Sequence, residues 1–276
     1  MVTKHGTMLL TRQTRTITML TYTSYLKIDE LLALQAPESE PTEHDEMLFI
    51  VIHQTYELWF KQLLHEIDEF NRRIDQGDAT LAAKTLKRCL KILKTLVGQV
   101  DILETMTPLE FASFRSFLAS SSGFQSYQFR ALEFVLGFKR RAPLDHQPEG
   151  SSGWQLLNTR LQQPSVWQHI LILLAQRGFT IPADLLEVSD QATSSSEQVQ
   201  AVLLKVYQSV PELAMVLELL VDLDEGLQEW RYRHVQMVRR TIGSKMGTGG
   251  SEGVGYLQST LFQPIFPDLW AVRSQF

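Results

Sequence analysis

Two histidines stand out because each lies in a helix-like segment with apolar or aromatic neighbours. His53 lies near the middle of HDEMLFIVIHQTYELWFKQLLHEIDEF. At about 100° per residue its helical face also carries Phe49, Tyr56 and Phe60. Such an imidazole is either a core residue hydrogen-bonded to a nearby carbonyl or a group that faces a ligand. This segment alone is compatible with both interpretations.

His234 is the second unusual imidazole. It lies in WRYRHVQMVRR, with Trp230 one turn before it and Val238 one turn after it. Two facing helices that each offer a histidine can bind a flat cofactor between them or share a metal ion. The sequence does not show whether the two helices face each other. Arginines 231, 233, 239 and 240 flank His234 and are candidates for acidic cofactor groups or for solvent.

Arg115 and a glycine-rich segment are further candidates for ligand binding. Arg115 lies among phenylalanines 111, 114 and 117, where it can bind a carboxylate through two hydrogen bonds or form a structural salt bridge. The segment GTGGSEG, residues 247–253, is not a phosphate-binding P-loop, because it follows a helix and no lysine follows its second glycine. It is either a flap that brings the Thr248 hydroxyl to a ligand or a plain surface loop.

Other metal and redox motifs are weak or absent. The run His65-Glu66-Ile67-Asp68-Glu69 fails the HExxH pattern, and no Glu-x-x-His pair indicates a di-iron site. Cys89 is the only cysteine, which excludes an internal disulfide, a zinc ribbon, a cysteine-ligated cluster and a CxxCH haem attachment. We therefore expect a cytoplasmic protein.

Composition limits the partners. The chain has 276 residues, 44% hydrophobic side chains and a net charge of −5. This acidic balance argues against nucleic acid, since phosphate binding needs a concentrated basic surface. We therefore expect a small-molecule substrate. The first twenty residues indicate neither a signal peptide nor a membrane span. Residues 1–20 lack acids and resemble either a flexible arm, which we favour, or an organelle transit sequence.

Helical periodicity and helix-start signals dominate the chain. We predict helices over Ser24–Gln35, from a capping box at Thr42 and Asp45 to about Asp75, and from about Asp78 onward. Further helices are expected after Thr107-Pro108, over Phe124–Gly137 and from Pro211 to about Ile242. Residues 142–153 and 188–196 read as surface loops. With little period-two alternation, the predicted fold class is all-α, a single domain of long bundled helices.

Several long motifs in order resemble the tryptophan 2,3-dioxygenase family. The similar stretches are TYTSYLKIDELLALQ, the His53 segment, DILETMTPLEFASFRSFLASSSGFQSYQFRALEFVLG, WRYRHVQMVRRTIGSKMGTGGSEGVGYLQSTLF and FPDLWAVR. Residues before Thr21 show no recognisable motif, residues 147–196 are only loosely similar, and Glu252 stands where many members of the family have a small polar residue. The resemblance implies a haem b enzyme, with one haem per subunit, that inserts O2 across the indole C2–C3 bond of L-tryptophan to give N-formyl-L-kynurenine, the first step of the kynurenine route.

The resemblance also implies roles for single residues. His234 corresponds to the axial haem ligand, His53 to the distal, substrate-facing histidine and Arg115 to the group that binds the substrate carboxylate. The other implied substrate contacts are Phe49, Phe111, Leu118, Ser122, Gly123 and Thr248, with Tyr22, Tyr25 and Leu26 from a neighbouring subunit of a homotetramer. Residues 21–276 would form the haem-binding domain, behind the arm 1–20. A broader indoleamine dioxygenase and a non-catalytic haem sensor remain alternatives.

Overall fold

The computed structural model describes residues 19–119, 121–245 and 254–276, which contain helices and no β-strand. The predicted all-α class is therefore confirmed. The α-helices are, in order, α1 (Tyr22–Leu26), α2 (Ile28–Leu32), α3 (His44–Asp75), α4 (Ala79–Leu103), α5 (Pro108–Phe114), α6 (Tyr127–Leu136), α7 (Ala142–Asp145), α8 (Ser152–Leu161), α9 (Val166–Gln176), α10 (Glu197–Ser209), α11 (Pro211–Ile242), α12 (Val254–Ser259) and α13 (Pro267–Ala271). No helix in these ranges has the length and apolar character needed to cross a membrane.

Contacts within the chain divide it after Ala36 into two units. The described part of the first unit, residues 19–36, contains α1 and α2 and has no buried residue. The predicted helix over Ser24–Gln35 is wrong in extent, because Lys27 adopts a left-handed conformation, φ 56°, and separates two short helices. The proposed domain boundary at residue 20 stays a prediction.

Three long helices organise the second unit, residues 37–276, and α4 packs against both α3 and α11. Each helix buries apolar side chains spaced three or four residues apart, as a helix with one covered face requires. The fully covered positions include Leu63, Ile67, Phe70 and Ile74 on α3, Leu86, Cys89, Leu93 and Leu96 on α4, and Leu213, Val216, Leu217 and Leu220 on α11. Burial of these faces packs both α3 and α11 against α4.

Polar side chains define where several helices begin. Asp78 caps α4 by accepting a hydrogen bond from the Leu81 N–H at 3.0 Å, and Thr107 forms a capping box with Glu110 at the start of α5. Both starts were predicted. The predicted capping box at Thr42 is wrong, since Glu43 is the N-cap of α3 and makes no capping hydrogen bond with its side chain.

Shorter helices surround the three long ones. Helices α6 and α9 pack on α3, α8 packs on α6, and α10, α12 and α13 pack on α11. Helix α5 contacts both α3 and α11, so it covers one side of the gap between them. The predicted loop over residues 142–153 is wrong in part, because it contains α7 and the start of α8. Residues 188–196 lie outside the helices, as predicted.

A buried carboxylate fastens the C-terminal segment to α11. Asp224 has no exposed surface and accepts hydrogen bonds from the backbone N–H groups of Ile265 and Phe266 at 2.8 and 3.1 Å. The indole N–H of Trp270 donates to the same Oδ2 atom at 3.0 Å. A buried charge is tolerated only when it is well paired. Asp224 therefore links the segment before α13 to the helix that carries His234.

We expect Asp224→Ala to lower the free energy of unfolding by about 3 kcal/mol or more, because the three donors to Oδ2, and the Gln228 amide that donates to Oδ1, would lose their acceptor. Denaturant unfolding followed by circular dichroism measures this change. Asp222→Ala, an exposed change on the same helix, is the control and should alter stability by about 0.5 kcal/mol or less. Equal effects of the two substitutions would contradict the anchoring role.

Candidate active site

One cavity of about 250 Å3 lies among α3, α5, α6 and α11, and both His53 and His234 line it. It exceeds the roughly 150 Å3 apolar cavity that accommodates a benzene ring. Its described walls are mostly apolar and aromatic and include Phe60, Phe129 and Trp230. The two helices thus present their histidines to a common space, which the sequence left undecided.

His53 is oriented by its own helix. Its Nδ1 atom lies 2.7 Å from the backbone carbonyl oxygen of Phe49. A carbonyl oxygen only accepts hydrogen bonds, so the neutral ring carries its proton on Nδ1 and leaves Nε2 as an acceptor. Burial lowers the pKa of His53, and the hydrogen bond to Phe49 and the charge of Glu57 oppose this shift only in part. His53 therefore combines both interpretations: one nitrogen is satisfied by a carbonyl, and the other is available to a ligand.

His234 has a different environment. Burial, and secondarily the nearby His53 and Arg130, lower the pKa of His234 to about 4. Its ring stacks on Trp230 with the centroids 5.3 Å apart and the planes 6° from parallel. Among the described residues the imidazole has no hydrogen-bond partner. A neutral imidazole with an unused lone pair, held flat against an indole, is well suited to bind a metal ion.

Arg115 is the first residue of a 3-10 turn, Arg115–Leu118, that follows α5 directly. Its side chain lines the cavity and is half-buried. Of the phenylalanines around it, Phe111 lines the cavity, Phe114 is fully buried and Phe117 is 40% exposed. The Phe49 ring contacts those of Phe111 and Phe114, with centroids 5.8 and 5.6 Å apart. A guanidinium at the edge of an aromatic wall can recognise a carboxylate.

The structure brings most of the predicted site residues together. Those that line the cavity are Phe49, His53, Phe111, Arg115, Ser122, Gly123 and His234. Leu118 lies beside them, in the small apolar cluster of Ile52, Leu103, Met106 and Phe114. Thr248 and Glu252 lie outside the described residues. Tyr22, Tyr25 and Leu26 belong to the first unit, where their side chains are 76%, 70% and 43% exposed.

Two charged residues of the cavity wall on α6, Arg130 and Glu133, were not predicted. The sequence contained a signal, an arginine and a glutamate three residues apart inside the apolar run YQFRALEFVL. Arg231, predicted as one of four cofactor candidates, also lines the cavity and is buried. In contrast, Arg233 forms salt bridges with Asp101 and Glu104.

Comparison with known proteins identifies the family. The sequence model of tryptophan 2,3-dioxygenase matches residues 11–174 and 182–276. The chain belongs to the tryptophan 2,3-dioxygenase family. A tryptophan 2,3-dioxygenase from Herpetosiphon aurantiacus is 54% identical over 92% of this chain and 98% of its own length. One from Anaeromyxobacter sp. is also 54% identical, over 92% and 95%, and one from Caulobacter vibrioides is 45% identical over 93% and 98%. The family model matches from residue 11, ten residues before Thr21, where the motifs found in the sequence begin.

The tryptophan 2,3-dioxygenase family is haem-dependent, and the chemistry of the residues that line the cavity suits such a group. Haem needs an axial ligand of the imidazole type and apolar surfaces for its ring. His234 offers a neutral imidazole without a hydrogen-bond partner among the described residues, and aromatic side chains such as Phe60 and Trp230 line the same cavity. The available donor and the apolar wall are therefore compatible with a haem.

In the haem-free protein, His234 should make the free energy of unfolding depend on pH. The unfolded chain takes up a proton at this residue near pH 6.5, whereas the folded protein does so only near pH 4. Stability should therefore fall by about 3 kcal/mol from this residue as the pH drops through that window. Urea unfolding of the haem-free protein between pH 7 and 4 measures this dependence. His234→Phe should weaken it, while the exposed His65→Phe should not; an unchanged pH dependence in His234→Phe would contradict this assignment.

Proposed function

We propose that this protein is a haem-dependent tryptophan 2,3-dioxygenase, which inserts both atoms of O2 across the indole C2–C3 bond of L-tryptophan to form N-formyl-L-kynurenine. The observation that carries this proposal is the pair of neutral histidines on one apolar cavity, with Arg115 at its wall. Family membership supports the same reaction. The enzyme would act at the start of tryptophan breakdown by the kynurenine route.

We assign His234 as the axial ligand of a non-covalently held haem b, one per subunit. Its support is the low pKa of the ring, which keeps the lone pair available, and the parallel Trp230 side chain that fixes its plane. When bound, the haem supplies the iron that activates O2. The aromatic cavity wall would exclude water from the haem and the indole.

His53 would orient the substrate. Its Nε2 is the unprotonated nitrogen, so it can accept a hydrogen bond from the indole N–H. Indole N–H is a very weak acid, and attack at the electron-rich C2–C3 bond does not require its prior removal. His53 is therefore assigned a positioning role for the indole, with Phe49 and Phe111 forming the adjacent aromatic wall. The Phe49 carbonyl keeps the imidazole in the correct tautomer.

Arg115 would bind the substrate carboxylate, and Thr248 would contact the substrate from its glycine-rich segment. Ser122, Gly123 and Leu118 complete the proposed substrate contacts. Tyr22, Tyr25 and Leu26 would come from a neighbouring subunit of a homotetramer, through an exchanged N-terminal segment. The strong exposure of Tyr22 and Tyr25 within this chain supports a partner surface, since large aromatic side chains in a row are seldom left in water.

The central test loads the full-length protein with haem, reduces it without air and adds O2 and L-tryptophan. We expect the absorbance of N-formylkynurenine to appear. His234→Ala should abolish stable haem binding, measured as Soret absorbance per protein, whereas the exposed His65→Ala should keep it. Full haem occupancy without product would favour the alternative of a haem sensor. Full haem occupancy in His234→Ala would show that another residue binds the iron.

We expect His53→Ala to retain haem and to lower kcat/KM for L-tryptophan by about tenfold, the effect of losing one hydrogen bond. An obligatory general base would instead cost roughly 100- to 10,000-fold. The matched control is 1-methyl-L-tryptophan, which has no indole N–H; His53→Ala should leave its kcat/KM almost unchanged. A loss as large for the methylated substrate as for tryptophan would contradict the hydrogen bond.

Arg115 should distinguish the proposed enzyme from a broader indoleamine dioxygenase. Tryptamine lacks the carboxylate, so its binding should be weaker than that of L-tryptophan by about 2–5 kcal/mol. Arg115→Met should remove most of this difference by weakening L-tryptophan alone. Difference spectra of the haem-loaded wild type and of Arg115→Met give the dissociation constants of L-tryptophan and tryptamine. Similar affinities for the two compounds in the wild type would favour the indoleamine dioxygenase.

A further inference from the structure

A charge cluster borders the cavity on α6 and α11. Its centre is Glu133, whose Oε2 accepts a hydrogen bond from Arg130 at 2.8 Å and whose Oε1 accepts one from Arg231 at 3.1 Å. Arg140 also donates to Oε2, at 2.7 Å. Burial by itself would raise the pKa of Glu133, but the three guanidinium charges outweigh it and the pKa is lowered. Glu133 is therefore ionised and fixes the arginines in place.

The charges of this cluster do not balance beside the cavity. Among the described residues, Glu133 is the only carboxylate in a salt bridge with Arg130 or Arg231. Both arginines line the cavity and are only 6% and 5% exposed. Two buried cations that share one anion leave an excess of positive charge where water screens it poorly. A further anion in the cavity would offset that cost.

Arg130 also has an unused donor. Its Nε atom is buried and has no hydrogen-bond partner in the described part of the chain. The guanidinium carbon lies 4.9 Å from the centre of the Phe124 ring and 5.2 Å from that of Phe129, so the group is held by aromatic contacts as well as by Glu133. Buried donors without an acceptor are rare in folded proteins. Arg130 is thus held in place with donor capacity to spare.

The cluster lies on the His234 side of the cavity. Arg231 precedes His234 by one helical turn, which places both on one face of α11. The charge of Arg130 contributes to the low pKa of His234, so the two side chains are within electrostatic range. Haem b carries two propionate carboxylates on one edge of its ring. A haem bound through His234 would bring these anions into the same cavity as the arginines.

We propose that Arg130, positioned by Glu133 and supported by Arg231, binds a propionate carboxylate of the haem. This inference rests on the proposed function, because it requires haem to bind at His234. Arg130 has the geometry for the role, since a fixed guanidinium can form charge-assisted hydrogen bonds with a carboxylate. The same chemistry would suit the carboxylate of the amino acid substrate, so the test must separate these two sources.

The test measures the rate at which full-length, haem-loaded protein releases its ligand to an excess of a haem-scavenging protein. Wild type and Arg130→Gln are each loaded with haem or with haem dimethyl ester, in which both propionates are masked. Arg130→Gln should release haem about 10- to 100-fold faster than wild type, the effect of hydrogen bonds to a charged group. The ester should leave the wild type at this faster rate, and Arg130→Gln should not accelerate it further.

Arg140→Gln is the matched control, since Arg140 donates to the same carboxylate but does not line the cavity. It should accelerate haem release by about fivefold at most. Equal rates of haem release from wild type and Arg130→Gln would overturn the proposal. If Arg130→Gln accelerated the release of haem and of its ester equally, the substitution would have caused a packing defect, and the proposal would also be overturned. The ester tests the propionate contact in wild-type protein, without any substitution. If wild type released the ester at the same rate as haem, the proposal would also be overturned.

Measurements of tryptophan binding distinguish the substrate carboxylate from the haem propionate as the group that Arg130 binds. If Arg130→Gln weakened binding of L-tryptophan but not of tryptamine and left haem release unchanged, Arg130 would bind the substrate and the proposal would be overturned. Failure of the proposed function has a different signature. In that case the wild type itself would not hold haem, or His234→Ala would hold it as well as the wild type does.

Discussion

Desolvation of the cavity between α3 and α11 is the constraint on which the site depends. It keeps both imidazoles neutral, and each needs a lone pair for its proposed role. The two rings differ in what else holds them. His53 is tied to the Phe49 carbonyl and so has a defined tautomer, whereas His234 is fixed by stacking on Trp230. One apolar environment thus supports two chemically distinct histidines.

Buried carboxylates join other segments to the helices that form this cavity. Asp224 fastens the C-terminal segment to α11, and Glu133 joins α6 to α11 through Arg231. Near the start of α3, Glu46 accepts hydrogen bonds from the backbone N–H groups of Glu38 and Ser39 at 2.8 and 3.0 Å. Each carboxylate has several donors, so the cost of its burial is offset locally. The apolar core supplies most of the burial, while these polar groups determine how particular segments meet.

The sequence predicted the long helices well because their signals are local. Thr107 with Glu110, Asp78, and the apolar periodicity after Pro211 identify helix starts and faces that the structure contains. Prediction was weaker where local signals compete. The segment after Ser24 has helical periodicity, yet Lys27 breaks it with a left-handed conformation, and α3 begins without the expected cap at Thr42. Helices α8 to α10 were not predicted, although α9 has a capping box at Ser165 before an apolar run and α10 begins after a serine N-cap, Ser196.

By itself the sequence determined the all-α class, the family and the identity of the two histidines, because periodicity and long ordered motifs are properties of the chain. Only the tertiary structure decided that His53 and His234 line one cavity and that Arg130 borders it as a buried cation sharing Glu133. These relations depend on contacts between α3, α6 and α11, whose residues are far apart in sequence. Desolvation, and therefore the charge of each imidazole, arises only when those helices pack together.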